Sequence, residues 1–366
     1  MTGYTHDDRE LDLHRFRRGT KIMKLNYREF FMQKMLIMFK PEDIGMSAKD
    51  FISTYASYME DVGIVGKGPD GYALFPSKTA PVTEEHTEFF AEWVQLNDAL
   101  GIHGVVGMDF YTDGWFARDP KYQTMDDKGI KMEHQICPNR EEFWQYGAEI
   151  VREIGSYPIN EILLFGTGFI RDHFCFCERC RTEFAPMVDQ EPARLSFAYL
   201  LGNDEYHEKW HQFRSDKVHE GLQYLQDAAV ESDEATGREQ PLKLSVEVLL
   251  DPETGLSDGA RNEYGYDYSR IGEITKNVLI NLFPWSPDLP SKGSPEYSDL
   301  VESLYYVNEF TRRGGRASLF RWGVTTIEQL QELKALGKDV GIDRIVSTFH
   351  YPSDYSRRRE SAIGNY

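Results

Sequence analysis

Short apolar runs alternate with longer amphipathic segments along most of the chain. The amphipathic segments repeat their apolar positions every three to four residues, which is typical of helices with one buried face. The short runs are nearly continuous in apolar residues, as expected for strands of a parallel sheet that is covered on both sides. Eight runs are predicted to be strands: 34–40, 71–76, 103–110, 161–166, 242–250, 277–285, 316–323 and 343–351.

Several amphipathic segments carry signals for the ends of helices. The segment 83–101 opens on Thr83, a residue type that caps helix N-termini, and closes on Gly101, which favours the left-handed turn after a helix. Because such segments lie between most of the predicted strands, the chain predicts successive βαβ units. Further helices are predicted at 47–63, 140–157 and 205–232.

Eight strands alternating with helices predict the α/β class and, within it, a closed (β/α)8 TIM barrel. A length of 366 residues suits such a barrel with insertions. No GxGxxG pattern follows the first strand, which argues against a dinucleotide-binding sheet. We expect a helical lead over 1–30 and a single barrel domain over 31–366. Long loops at 111–136, 167–204 and 251–266 follow strands, so they belong to the face where barrel active sites form.

The charge balance limits the choice of partners. The chain has 60 Asp and Glu against 41 Lys and Arg, a formal charge of −19, and shows no basic tail or stripe. This balance argues against a nucleic-acid partner, which would require a concentrated positive field. No segment approaches the roughly 20 apolar residues that span a bilayer, and the first residues lack a signal-peptide pattern. We therefore expect a soluble, cytoplasmic protein without a membrane partner; a homo-oligomer is compatible with these features.

Three of the four cysteines lie within the stretch HFCFCERC. Cys175, Cys177 and Cys180 form a C-x-C-x2-C cluster, and Cys137 lies upstream in ICPN. Four thiolates make the closed tetrahedral shell of a structural zinc site, which leaves no open position for substrate. Such a site would pin the loops 111–136 and 167–204 together. Buried free cysteines and a redox dithiol are the alternatives.

The cysteine pattern and its surroundings resemble a known group of enzymes. One part of the chain is similar in sequence to the four-cysteine zinc region of the family 42 β-galactosidases and related hydrolase-like barrels. The similarity lies in the successive stretches ICPN, EFW and EILLFGTGFIRDHFCFCERCRTEF. The resemblance covers roughly residues 100 to 185. It implies a glycoside hydrolase-type barrel with structural Zn²⁺ on Cys137, Cys175, Cys177 and Cys180.

The same resemblance ends at the catalytic positions. The family's acid/base glutamate follows an asparagine at the end of strand four, where this chain has FGTG near Gly166. Its nucleophilic glutamate ends strand seven, where this chain has Arg321 and Trp322. We therefore expect a shared scaffold with different catalytic residues.

Two carboxylates at other strand ends are the best candidates for that chemistry. Asp109 ends the third predicted strand, and Glu247 lies within the fifth, between Val246 and Val248. Each residue has a structural explanation as well, because rim aspartates bond backbone amides and buried glutamates form ion pairs. The drier surroundings of Glu247 predict the protonated acid, with Asp109 as the ionised partner. His350, at the end of the last strand, is the third catalytic candidate.

Cations and aromatic residues at the remaining strand ends suggest the substrate class. A cationic rim in so acidic a chain favours an anionic sugar, and aromatic faces stack on sugar rings. The predicted substrate-binding residues are Lys40, Arg171, Asp172, Tyr266, Trp285, Arg321 and Trp322.

These features together predict a carbohydrate-active enzyme. The leading interpretation is a glycoside hydrolase that acts on an anionic sugar or oligosaccharide through paired carboxylates. The first alternative is a lyase or isomerase on an acidic sugar, with His350 or a carboxylate as the base. The second is a sugar-binding barrel without catalysis.

Overall fold

The computed structural model describes most of the chain. It covers residues 34–39, 45–55, 61–250, 258–282, 289–312, 314–322, 324 and 327–348. The predicted lead over 1–30 and the predicted site residues Lys40, Trp285 and His350 lie outside these ranges.

Eight parallel strands close into a barrel, which confirms the predicted fold class. The barrel strands are β1 Lys34–Phe39, β2 Asp61–Lys67, β3 His103–Asp109, β6 Glu161–Phe165, β7 Lys243–Leu249, β8 Asn277–Asn281, β9 Arg316–Arg321 and β10 Arg344–Thr348; an antiparallel hairpin consists of β4 Gln123–Met125 and β5 Lys131–Ile136. The order around the barrel is β1-β10-β9-β8-β7-β6-β3-β2, so neighbours in sequence are neighbours in space except where the hairpin of β4 and β5 intervenes.

Helices follow most strands, as the alternating pattern predicts. They cover the outer face of the sheet, where the larger buried cluster includes residues of both strands and helices. The described helices are α1 Ala48–Tyr55, α2 Glu84–Leu100, α3 Glu141–Gly155, α4 Glu178–Phe184, α5 Phe197–Leu201, α6 Asp204–Thr236, α7 Asp258–Tyr264, α8 Tyr268–Ile274, α9 Pro295–Arg312 and α10 Ile327–Val340. None of these described helices combines the length and apolar character needed to cross a bilayer.

The second barrel strand differs from the prediction. It is β2, and not the run 71–76. Two glycines interrupt the apolar pattern of β2, so the sequence analysis does not recognise it as a strand. The predicted helix over 47–63 extends into the first residues of β2. The run 71–76 instead forms isolated bridges at Ala73 and buries Phe75 against Phe90 of α2, with ring centroids 5.4 Å apart. Its apolar side chains therefore serve the packing of a loop.

The barrel interior has an apolar middle. Side chains of alternate residues point inward along each strand, so residues paired across neighbouring strands share one face. A separate buried cluster fills this interior: Met38, Val105, Leu163, Phe165, Leu279, Phe320, Trp322 and Val346.

A charged group forms the floor of the barrel, at the amino ends of the strands. Arg344 begins β10 and donates two hydrogen bonds of 2.8 Å to the two carboxylate oxygens of Glu161, the first residue of β6. It also donates to Asp61 of β2 at 3.2 Å, and Ser245 donates to Glu161. Burial would raise the pKa of Glu161, but the charge and hydrogen bonds of Arg344, together with the hydrogen bond from Ser245, hold that pKa below its usual value. Strands from opposite sides of the barrel are thereby joined.

Replacing Arg344 by Met should lower the free energy of unfolding by about 3–5 kcal/mol, because Glu161 would keep a buried charge without its partner. Adding Glu161→Gln should recover part of the loss. As a control, Arg152→Met breaks two exposed ion pairs, with Glu149 of α3 and with Glu231 of α6, and should cost less than about 1 kcal/mol. Urea denaturation measures all three; equal losses for Arg344→Met and Arg152→Met would contradict a buried bridge.

Candidate active site

Asp109 and Glu247 both belong to the inner face of the barrel at its carboxyl end. Asp109 is the last residue of β3 and pairs with Phe165, a member of the interior cluster. Glu247 lies two residues after Ser245, which pairs with the interior residue Leu163. Because side chains alternate along a strand, both carboxylates face the mouth of the barrel.

The carboxyl group of Glu247 is buried and held at both oxygens. Its side chain is 1% exposed. The backbone N–H of Gly166 donates to Oε2 at 2.6 Å, and Nδ2 of Asn281 donates to Oε1 at 2.5 Å. The hydroxyl of Thr167 donates to the backbone carbonyl of Glu247 at 2.8 Å. The ends of β6 and β8 therefore fix this side chain on β7 from both sides.

Burial and a neighbouring charge both act on the protonation of Glu247. Burial raises the pKa of Glu247 to about 7 against the hydrogen bonds from Gly166 and Asn281, which lower it. The negative charge of Asp109 adds to the rise, because both carboxyl groups lie at the same end of the barrel interior. Asp109 is less buried than Glu247. The pair therefore combines a carboxyl that holds its proton with a more solvated one.

Two predicted aromatic residues join this group. Tyr266 is buried, with its hydroxyl 3.4 Å from Oγ1 of Thr167, and burial followed by the charge of Glu247 raises its pKa above the usual value. Trp322 packs against the interior rings of Phe165 and Phe320, with centroids 5.1 and 4.7 Å away. A hydrogen bond with the side chain of Trp322 also lowers the pKa of Glu247. The structure therefore brings Tyr266 and Trp322 together with the carboxylates.

Arg321 lies on the other face of β9. It falls between Phe320 and Trp322, which both point inward, so its side chain points toward α10. Its Nη1 is 3.7 Å from Oε2 of Glu332 and donates to the backbone carbonyl of Gln329 at 3.4 Å. The structure therefore does not bring Arg321 into the mouth as the sequence analysis expects.

Arg171 and Asp172 lie in the loop after β6, in a polar group of their own. Arg171 is 3.6 Å from Glu263, and Asp172 contacts the ring of His173 at 3.2 Å. Burial would raise the pKa of Asp172, but the hydrogen bond with His173 and the charge of Arg214 hold it below its usual value. Their described partners lie in this loop and on α6 and α7, so these contacts do not link them to Glu247.

Asn281 is a site residue that the sequence analysis missed. It ends β8 inside the predicted run 277–285 and is fully buried. A polar amide at the end of an apolar strand is the same signal that marks Asp109. The backbone N–H of Gly166 has no such signal, because its role depends on the turn after β6, where Gly166 has φ +61°.

The four cysteines come together outside the barrel mouth. Their sulfur atoms all lie within 4.8 Å of one another, with Cys137 3.4 Å from Cys180 and 3.7 Å from Cys177. A tetrahedral ion with metal–sulfur bonds of about 2.3 Å separates its ligands by about 3.8 Å. Four buried thiols with this spacing fit a bound metal ion, and all are free of disulfide bonds.

Hydrogen-bond donors next to two of the four sulfur atoms would stabilise them as thiolates. The backbone N–H of Met125 donates to Sγ of Cys175 at 3.3 Å, and Nδ2 of Asn139 lies 3.7 Å from Sγ of Cys180. Such outer contacts orient ligands and stabilise thiolates. Met125 ends β4, so the cluster ties the hairpin in the loop after β3 to the loop after β6.

Comparison with known proteins establishes the fold. No protein-family model matches the sequence, and a search of curated proteins gave no match. Among solved structures, the catalytic domain of a β-amylase from Paenibacillus polymyxa is similar at a TM-score of 0.61 and 10% identity, over 86% of this chain and 91% of that chain. A β-galactosidase from the Antarctic haloarchaeon Halorubrum lacusprofundi is similar at a TM-score of 0.59 and 14% identity, over 86% of this chain and 52% of that chain.

Both similar structures are named as carbohydrate-active enzymes. This chain spans about half the length of the galactosidase chain. At these identities the likeness is one of fold, and function has to be argued from the site. The predicted resemblance to a glycoside hydrolase-type barrel is thus confirmed as an architecture.

Proposed function

We propose that this barrel hydrolyses glycosidic bonds, with Glu247 as the general acid and Asp109 as the ionised carboxylate. The observation that carries the proposal is the buried carboxyl of Glu247, whose pKa is raised to about 7 beside a second carboxylate at the barrel mouth. Glycoside hydrolysis requires such a pair, one carboxyl protonated and one ionised.

Each carboxyl group has a distinct part in this reaction. Glu247 donates its proton to the oxygen of the leaving sugar as the glycosidic bond breaks. Asp109 either attacks the anomeric carbon, forming a glycosyl-enzyme that water then hydrolyses, or removes a proton from the water that attacks that carbon. The donors on Glu247 fix the direction in which its carboxyl faces, because Gly166 and Asn281 occupy one site on each oxygen.

An aromatic side chain at the mouth supports a sugar as the ligand. Trp322 lies beside Glu247 and keeps a small exposed fraction, whereas Tyr266 is buried, and sugar rings pack on exposed aromatic surfaces. An acidic sugar has less support, because Arg171 lies near Glu263 and Arg321 near Glu332. The predicted preference for an anionic substrate now depends on Lys40 and His350. Parallel assays on matched neutral and uronic acid substrates compare the two classes.

We propose structural zinc for the cysteine cluster. A ligand set of four sulfur atoms selects a soft or borderline ion such as Zn²⁺, and its closed shell has no position for substrate. In this proposal Cys137, Cys175, Cys177 and Cys180 hold the loops after β3 and β6 in place. The ion takes no part in bond cleavage.

Glu247→Gln and Asp109→Asn should each lower kcat by at least about a hundredfold, the usual scale for losing a general acid or base. Glutamine suits the site because the Asn281 amide can turn over and offer its oxygen to the new NH2 group. Product analysis on oligosaccharides is the measurement, with melting temperature and metal content as controls for folding. Near-normal turnover in either variant removes that residue from the mechanism; an unsaturated product would indicate a lyase, and affinity without turnover a sugar-binding barrel.

The rate should fall as the pH rises through about 7, because Glu247 must carry its proton to act as an acid. Burial is the main cause of this raised pKa. The measurement is kcat/KM between pH 5 and 9, which reports the free enzyme. A rate that instead rises across neutral pH would assign Glu247 the role of a base.

The purified protein should contain about one zinc ion per chain when no metal is added. Cys177→Ser should lower the metal content and the melting temperature, since two loops lose a shared anchor. Elemental analysis and thermal unfolding with and without a chelator test this. A fully folded protein without metal would contradict the zinc proposal and leave the proposed hydrolysis unaffected.

A further inference from the structure

Lys67 is a buried cation that the reaction described above does not use. It ends β2, and its side chain is fully buried. Its Nζ lies 2.9 Å from Oδ2 of Asp113, also fully buried, and donates to the backbone carbonyl of Asp109 at 2.8 Å. A buried ammonium group is costly unless such partners surround it. One of its two partners is the backbone of the proposed catalytic residue.

A bulge in β2 aims Lys67 at this position. The register with β3 runs from Val65 opposite Gly107 to Lys67 opposite Met108, so Gly66 is skipped. Without the bulge, Lys67 would face Asp109 and point into the barrel mouth. A Cβ atom on Gly66 would lie 2.5 Å from Cγ1 of Val106, so a larger residue here would displace that side chain. Bulges that redirect a side chain in this way are common beside active sites.

The loop after β3 holds Asp113 in a fixed place. Its Oδ1 accepts a hydrogen bond from the N–H of Phe116 at 2.7 Å, and its own N–H donates to the carbonyl of His134 at 2.9 Å. Gly71 packs so closely that a Cβ there would lie 2.1 Å from Oδ1 of Asp113. The ammonium group of Lys67 therefore links an immobile carboxylate to the end of β3.

We infer that Lys67 is a positioning residue for Asp109. Its ammonium group fixes the carbonyl of Asp109, and with it the direction in which the side chain leaves β3. The inference rests on the proposed role of Asp109. Because buried ion pairs can often be replaced by apolar residues of similar volume without loss of stability, the contact with the Asp109 carbonyl is the feature that points to the site.

The double variant Lys67→Met with Asp113→Asn tests this inference because it removes both charges and leaves no unpaired ion. We expect kcat to fall at least about tenfold with KM little changed, since small misplacement of a catalytic group slows the chemical step. The single variant Asp113→Asn keeps the ammonium on the Asp109 carbonyl and should stay within about threefold of the wild type. If the first double variant does not fold, Lys67→Leu with Asp113→Asn, which also leaves no side-chain donor for the Asp109 carbonyl, replaces it with the same expected result.

A second measurement is independent of catalysis. The groups around Glu247 are Asp109, Tyr266, Asn281, Trp322 and the N–H of Gly166, and the charge of Asp109 helps to raise its pKa. Carbon-13 NMR of labelled glutamate should show this pKa falling by at least about half a pH unit in the double variant, as Asp109 turns toward solvent.

The two measurements separate the inference from the proposed function. A wild-type protein that cleaves no glycoside refutes the proposed hydrolysis, and the NMR titration then decides on positioning by itself. Unchanged kcat together with an unchanged pKa of Glu247 in the double variant overturns the role of Lys67.

Discussion

Closure of the eight-stranded sheet is the constraint on which the rest of this molecule depends. A closed barrel of eight strands has an interior just wide enough for its own side chains, and inward positions recur at every second residue. Apolar residues fill the middle, and polar groups lie at the two ends: Arg344 with Glu161 at the floor, Glu247 with Asp109 at the mouth. The floor group is an ion pair, whereas the mouth pair has the same sign of charge. An ion pair favours the charged form of both its groups, whereas two like charges favour protonation of one of them.

Much of the fold can be predicted from the sequence, because strands buried on both faces have continuous apolar runs. Seven of the eight strand predictions fall on observed strands. The strand that the sequence analysis missed, β2, contains two glycines, and one of them, Gly66, lies at its bulge. The rule that apolar runs mark strands fails at β2, where a bulge interrupts the regular pairing and redirects the side chain of Lys67.

The site was less predictable, for reasons of geometry. Asp109 and Glu247 follow from polar residues in apolar strands, and the clustering of the four cysteines follows from their spacing. Arg321 differs from its neighbours Phe320 and Trp322 by a single position, and a single position decides whether a strand residue faces the mouth or the helices. Lys67 and the N–H of Gly166 depend on a bulge and a turn, neither of which has a distinct sequence pattern.

The floor of the barrel has a consequence for the order in which the chain folds during synthesis. Arg344 and Glu161 are 183 residues apart, and Arg344 and Asp61 are 283 apart. Both carboxylates leave the ribosome long before the arginine that neutralises them. Until β10 emerges, the nascent sheet has two open edges and two acidic side chains that prefer water to its interior. Closure of the ring and pairing of these two carboxylates therefore both depend on Arg344, the last of the three residues to be synthesised.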